Sequence, residues 1–561
     1  MGGTRSMHTG GELVVEALQS HGIDTVFCVP GESFLPILDA LYGAGGIRVV
    51  TCRHEHGAAM MAEAHGKLTG RPALCLVTRG PGACNAAIGV HTAFQDSTPM
   101  LLFIGQVERG FIGREAFQEV DLARMFQGLA KRAEQVEAAA SLPAAVASAI
   151  RDAKSGRPGP VVLALPEDVL AERVRADAVP PLGVDEPAPD EGLMQRLHHR
   201  LGDAQRPLLL VGGGGWTGEA RADLHAFAVG NGLPVCCAFR RHDIFANADP
   251  LFAGELGIGA NPALVDRVKA ADLVIAVGTR LGEITTQGYS LLPRRGEEGA
   301  AGPDLVHVYP DAAEPGRVFA VALAIPASPA PFAAAARRLA PANAERWRGW
   351  DAAARADYVA DRAKAARGGA LDLYRAMAEL DEMLPADAVV SVDAGNFSGW
   401  PQRFLTFGGG RRLLGPCNGA MGYGVPAAVA AKLAAPERCV VACVGDGGFG
   451  MTGQELATAV AMSLPIVVLI FDNGMFATIR MHQERAYPGR PMATGLTNPD
   501  FAAIARAYGA HGETVGHTAE FRPAMTRALE CGGPAVVALK VDPELITTRA
   551  TLSELSAASA R

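Results

Sequence analysis

The chain has 561 residues, of which 49% are hydrophobic and 20% charged, and it carries a net charge of −8. That length exceeds a single hydrophobic core and implies roughly three or four domains. The acidic balance leaves no basic stripe for nucleic acid, and no apolar run is long enough to cross a membrane.

The first residues, Met1 to Gly11, lack the apolar stretch of a signal peptide. Ten cysteines without a Cys-x-x-Cys pair support neither a disulfide framework nor a zinc site. Cys28, Cys75, Cys84 and Cys443 sit among apolar or glycine residues and read as small buried hydrophobes. Together these features predict a cytoplasmic protein in a reducing compartment.

Along the chain, β-type runs at 25–29, 73–77 and 100–104 alternate with alanine-rich helical stretches, which predicts a parallel sheet covered by helices. A proline-rich segment, 177–192, reads as a linker. The pattern returns with strands at 207–211 and 273–277. A charged helical stretch, 343–367, leads to strands at 389–392, 439–444 and 466–470. The tail after Thr548 is polar and is expected to fray. The fold class is therefore α/β, with three doubly wound parallel-sheet domains at 1–176, 190–340 and 368–550.

Two strand ends carry the chemistry. Gly445-Asp446-Gly447-Gly448 ends one apolar run, where glycines let backbone N–H groups approach an anion and a single carboxylate can bind a hard cation. Asn473 ends the next apolar run, and neighbouring strand ends of a doubly wound sheet are where ligands converge. In the first region Glu55 opens an alanine-rich helix, where a carboxylate can also serve only to complement the helix dipole.

This Gly-Asp-Gly followed by Asn resembles the thiamine-diphosphate motif, and the likeness extends over nearly the whole chain to the acetohydroxyacid (acetolactate) synthase branch of that superfamily. The resemblance implies an N-terminal pyrimidine-binding domain, a central Rossmann-like domain and a C-terminal diphosphate-binding domain. Magnesium would be held by Asp446, the Asn473 side chain and the Met475 carbonyl. Gly395, Asn396 and Phe397 would lie along the diphosphate, with Gly445, Gly447 and Gly448 forming its turn.

The segment Gly419-Ala420-Met421-Gly422 is similar to the family's Gly-Ala-Met-Gly. Met421 would wedge the cofactor into its bent shape, and the Gly419 and Met421 backbones would hold the pyrimidine. Glu55 would be the activating carboxylate, its pKa raised in a low-dielectric interface so that it shares a proton with pyrimidine N1′. Glu63, two turns on, reads as structural. Phe117 and Gln118, in Ala116-Phe117-Gln118-Glu119, would line the reaction cavity.

Four positions depart from the family. Glu32 and Ser33 stand where glycine and alanine are usual, and Arg79 replaces a small serine. His482 occupies the position of the tryptophan that favours 2-ketobutyrate. In the central region, Gly212 to Gly215 admit either FAD or an inert Rossmann-like turn, and Leu281-Gly282-Glu283 replaces the acidic sequence of flavin-binding members.

The resemblance implies magnesium-dependent decarboxylation of a 2-keto acid such as pyruvate, with carboligation to a second carbonyl compound, by a homodimer or homotetramer. A decarboxylase or 2-hydroxyacyl lyase on the same scaffold, served by Glu32, His54, His56 or His482 as proton donors, is the alternative reading. A non-catalytic cofactor-binding homologue is the third.

Overall fold

The computed structural model describes residues 7–184, 186–297, 301–342, 344–366 and 368–559. Asn343 and Arg367, the ends of the charged stretch, lie outside them, as do residues 1–6. Three six-stranded sheets, each parallel throughout, follow one another along the chain. Their inner strands are almost entirely buried, as expected where helices cover both faces and the runs are Val-, Leu- and Ile-rich, while edge strands such as Arg48–Thr51 and Arg132–Gln135 are exposed or half-buried.

In spatial order the N-terminal sheet holds Arg48–Thr51, Thr25–Cys28, Leu74–Thr78, Met100–Gln106, Pro160–Pro166 and Arg132–Gln135. The central sheet holds Phe252–Leu256, Val235–Ala238, Pro207–Val211, Leu273–Val277, Asp304–Tyr309 and Leu323–Pro326. The C-terminal sheet holds Arg412–Leu414, Val389–Val392, Val440–Gly445, Val467–Asp472, Ala535–Lys540 and His511–Val515. A short antiparallel pair, His8–Thr9 with Arg173–Val174, closes the first domain on itself.

The first and third domains share one core. Helix Glu55–Thr69 packs along helix Gly424–Ala434, and Ala58, Ala59, Ala427 and Ala428 belong to the same buried cluster. Within the first domain, small side chains also let helix Arg79–Asp96 close on helix Glu55–Thr69: a methyl at Gly89 would fall 2.4 Å from Ala59 Cβ. A buried polar knot crosses the interface of the first and third domains. Lys67 Nζ pairs with Glu63 at 3.1 Å and with Asp96, and Tyr423 donates to Glu63 at 2.7 Å. Glu63 is thus a structural carboxylate.

Two expectations fail. The tail past Thr548 does not fray: Leu552–Ser559 is a helix packed on helix Ala477–Ala486. Its start is a reciprocal cap, with Thr551 N donating to Glu554 at 2.8 Å and Glu554 N to Thr551 Oγ1 at 3.2 Å, and Ser556 bonds Glu484. Cys84 is exposed rather than buried, because its position on helix Arg79–Asp96 faces away from the core.

Candidate cofactor site

Strand Val440–Gly445 ends directly in helix Asp446–Thr452, so Asp446 stands at the helix start. The carboxylate is nearly buried and fully engaged. Oδ1 accepts from Gly447 N at 2.9 Å, while Oδ2 accepts from Gly474 N and Asn498 Nδ2, each at 2.8 Å. Burial raises its pKa against those donors, a state that a bound cation would relieve.

Asn473 follows the neighbouring strand, and its Oδ1 accepts from Met475 N at 3.2 Å. Sequence reasoning missed Asn498, which bridges Asp446 and Asp472 from an irregular segment with no periodic pattern.

The other cofactor segments close around this turn. A methyl at Gly447 would lie 3.3 Å from Met421 Cε, so the methionine stands over the Gly-Asp-Gly turn. Methyls at Gly395 and Gly445 would each strike the Phe397 ring, at 2.7 and 2.8 Å. Asn396 is fixed by Thr478, which accepts from its N–H at 2.9 Å, and by its own donation to Ile546 O at 2.9 Å.

Beneath the turn lies Asp393, 1% exposed, accepting from the backbone N–H groups of Ala394, Gly422 and Tyr423 at 2.8, 3.0 and 3.3 Å. Burial pushes its pKa up to about 6 despite these donors. A methyl at Gly448 would fall 2.3 Å from its Oδ2.

All three domains hold the methionine loop. Lys67 donates to Gly415 O at 2.8 Å and Asp96 accepts from Cys417 N at 2.8 Å, both from the N-terminal domain. Asn418 Nδ2 reaches Thr92 Oγ1 at 3.1 Å. Arg240 of the central domain donates to Pro416 O at 2.6 Å and Asp393 O at 3.0 Å, from a buried position in the left-handed backbone region (φ 58). A non-glycine residue held there is strained, and strain persists where surrounding contacts over-determine it.

Glu55 opens helix Glu55–Thr69 behind His54, which caps it by accepting from His56 N at 3.0 Å. Its carboxylate is half-buried and accepts from Asn85 Nδ2 at 2.9 Å. Glu455 of the C-terminal domain anchors this helix start by accepting from Arg53 N and His54 N, each at 3.0 Å. His56 turns toward its own chain's Met421 loop, since a methyl at Gly422 would lie 2.9 Å from its Cε1. Burial, then the neighbouring His54, hold the His56 pKa down to about 4, while the Met421 backbone opposes them.

Three family models match this chain: the thiamine pyrophosphate enzyme N-terminal TPP binding domain over residues 8–125, the central domain over 194–336, and the C-terminal TPP binding domain over 393–539. The acetolactate synthase isozyme 2 large subunit of Escherichia coli is 32% identical over 545 residues, covering 95% of each chain. The chain belongs to the thiamine pyrophosphate enzyme family.

Other relatives of this thiamine pyrophosphate enzyme differ in named activity. The acetolactate synthase large subunit of Corynebacterium glutamicum is 32% identical, with 94% of this chain and 86% of that protein covered. A sulfoacetaldehyde acetyltransferase of Rhodobacter capsulatus is also 32% identical, with 92% and 91% covered.

Two of the altered positions of this thiamine pyrophosphate enzyme are joined. Arg79 Nη1 lies 3.2 Å from Glu32 and Nη2 2.9 Å from Glu167, so the two departures form one ion-paired unit with a carboxylate from a third strand end. Arg79 is itself in the left-handed region (φ 37), as is Gln118 (φ 66). Gly80 N donates to Gln118 O at 3.0 Å and ties the two strained positions together.

Gln118 Oε1 is buried without a partner among the described residues, and Phe117 is 76% exposed. Ser33 is fully buried and its hydroxyl lies 2.7 Å from Thr78 Oγ1, which packs the turn. His482 is exposed on helix Ala477–Ala486.

In the central domain, the Gly212 turn closes on the adjacent strand end. A methyl at Gly213 would overlap Gly278 O at 1.8 Å, and Trp216 donates to Gly212 O at 2.8 Å while 6% exposed. This indole lies at the switch point between strands Pro207–Val211 and Leu273–Val277, where a nucleotide would bind. The tight glycine turn is thereby accounted for by packing.

Proposed function

We propose that the enzyme decarboxylates a 2-keto acid such as pyruvate and joins the remaining acyl unit to a second carbonyl compound, as the acetolactate synthases among its relatives are named for doing. The observation that carries this reading is the engaged, nearly buried Asp446 at paired strand ends, with Asn473 beside it and Met421 over the turn.

Asp446, Asn473 and the Met475 carbonyl form an oxygen donor set suited to magnesium, with one carboxylate against a diphosphate. No group of three or more His, Cys, Asp or Glu side chains able to hold a metal occurs among the described residues. The backbones of Gly395, Asn396 and Phe397 would flank the diphosphate, and those of Gly419 and Met421 would hold the pyrimidine. When bound, thiamine diphosphate supplies the nucleophilic carbon and the electron sink.

Glu55 would hold the proton at pyrimidine N1′, and Asn85, which donates to its carboxylate, would fix it for that exchange. Gln118 presents an unpaired carbonyl oxygen to the substrate, and Phe117 contributes apolar surface that excludes water. Arg79 and Glu32 shape the acceptor side. A packed Gly212 turn supports a reaction without FAD.

Glu55 sits half-buried with Asn85 as its only bonded side chain among the described residues, while Phe117, Met451, Ile479 and Met492 lie exposed on the two cofactor-bearing domains. These surfaces support a homodimer or homotetramer in which Glu55 serves the partner's cofactor, acting in the cytoplasm. A second reading, decarboxylase or 2-hydroxyacyl lyase, is favoured by the Glu32 carboxylate, whose side chain is 57% exposed where the family uses glycine. Protonation by Glu32 would then replace addition to an acceptor.

Product analysis with thiamine diphosphate, magnesium and pyruvate, alone and with an added aldehyde, separates the readings. Absence of cofactor-dependent carbon dioxide from every 2-keto acid tried would sink both. Glu55→Gln is expected to lower turnover on the order of 100- to 10,000-fold with cofactor affinity nearly kept, which a non-catalytic binder would not show.

A further inference from the structure

The helices carrying the two cofactor-handling elements run side by side and end together. Helix Glu55–Thr69 begins at the candidate activating carboxylate, and helix Gly424–Ala434 begins just past Met421. At their far ends, on the opposite side of the shared core, lies a depression of about 420 Å³. Its walls include Asp24, Arg48, His65, Arg71 and Leu433. That volume accommodates a metabolite of a few carbon atoms.

The wall chemistry favours an anion. Two guanidinium groups face one carboxylate, and that carboxylate is already committed: Asp24 lies 2.9 Å from Arg71 Nη1 and accepts from Thr25 Oγ1 at 2.8 Å. Arg48 uses Nη1 to cap the end of helix Gly424–Ala434, donating to Leu433 O at 3.0 Å. Arg48 Nη2 and Arg71 Nη2 have no protein acceptor among the described residues, which leaves donors of the kind that fork onto carboxylate or phosphate.

At the wall stands His65, 3% exposed, with Nδ1 unpartnered among the described residues. Burial holds its pKa down to about 4, against Asp24 and with help from Arg71 and Arg48, so the ring is neutral and one nitrogen donates. Nδ1 is enclosed with no acceptor among the described residues, so the proton of the neutral ring belongs on Nε2, which is the nitrogen left to donate toward the depression.

We propose that this depression binds a small oxyanion, the carboxylate or phosphate of a metabolite, between Arg48, Arg71 and His65. Its occupant draws the ends of the two helices together through Arg48 and Arg71 and thereby biases the placement of Met421 at this chain's own cofactor and, resting on the reading above, of Glu55 at the partner's. Coupling of this kind is reciprocal, so occupant and cofactor change each other's affinity by the same factor.

The test uses the holoenzyme saturated with thiamine diphosphate and magnesium, which keeps phosphate out of the diphosphate site. Succinate and inorganic phosphate are titrated by calorimetry as separate arms. The expected result is saturable binding of at least one probe, one per chain, weakened about tenfold or more by Arg71→Gln and Arg48→Gln and largely kept by Arg71→Lys. Binding of succinate alone assigns an organic acid, and of phosphate alone a phosphorylated ligand.

The bound probe should also shift the half-saturating concentration of thiamine diphosphate in wild type but not in the Gln variants, whose basal turnover stays unchanged. Lack of saturable binding by both probes, or binding that both Gln variants leave intact, overturns the proposal. The binding arm needs no turnover, so its failure is distinguishable from a failure of the reaction assigned above.

Discussion

The C-terminal and central sheets are near copies in architecture, yet their glycine-rich turns do different work. Both turns follow a buried strand at the middle of six parallel strands. Under the Gly445–Gly448 turn lies Asp393, a buried acid held by three backbone donors, and at its tip Asp446 presents a second carboxylate. Across the Gly212–Gly215 turn lies an indole, and the nearest atom to Gly213 is a neighbouring carbonyl. Glycine at a strand end therefore marks close backbone approach, and the chemistry beside it decides whether a ligand or the protein itself does the approaching.

The largest expected effect on this contrast comes from Asp446→Ala. Even outer partners of metal sites cost about 10–100-fold when removed, so magnesium-dependent cofactor affinity should fall on the order of 100-fold or more. Equilibrium titration of thiamine diphosphate at fixed magnesium measures it, and unchanged affinity would break the contrast at its functional end. Trp216→Ala should destabilise the protein by about 3–5 kcal/mol while activity per folded molecule holds. A bound-flavin absorbance in the purified wild-type protein would contradict the packing role of that indole.

Asp393 predicts a pH signature that Trp216 lacks. Its folded pKa is raised to about 6 from 3.8, so its favourable contribution is complete below pH 3.8 and is lost as pH rises through 6. Relative to Asp393→Asn, wild type should lose up to about 3 kcal/mol between these limits. Denaturant midpoints of both proteins across that range check the sign, and a flat difference would dismiss the buried charge.

The smallest effect sharpens the comparison most directly. Gly448→Ala, meeting Asp393 Oδ2 at 2.3 Å, should cost about 1–3 kcal/mol. Gly214→Ala, with nothing within 4 Å, should stay within about 0.5 kcal/mol. Thermal midpoints of the two variants decide between them.

Much of this was legible in the residues. Apolar runs such as 440–444 and 466–470 are long, β-branched and flanked by glycine, so their burial and parallel pairing follow from pattern. Asp446 and Asn473 were legible because each ends such a run. Asp393, Glu455 and Asn498 were not, since their roles arise from bonds to backbone or side chains distant in sequence, which no local period encodes. The tail helix escaped for a different reason: its cap, Thr551 with Glu554, is a two-residue signal within a polar stretch. Arg79 and Glu32 each read as a separate departure, and only their contact made them one.

That contact has a historical consequence. If glycine at 32 and serine at 79 were the starting residues, an arginine arriving first would meet Glu167 and keep a partner. A glutamate arriving first would stand as a second carboxylate facing Glu167 with no cation between them. The order of acquisition is therefore biased toward the arginine. In a set of descendants the two positions should be inherited as a pair, with arginine without glutamate the tolerated intermediate and glutamate without arginine the rare one.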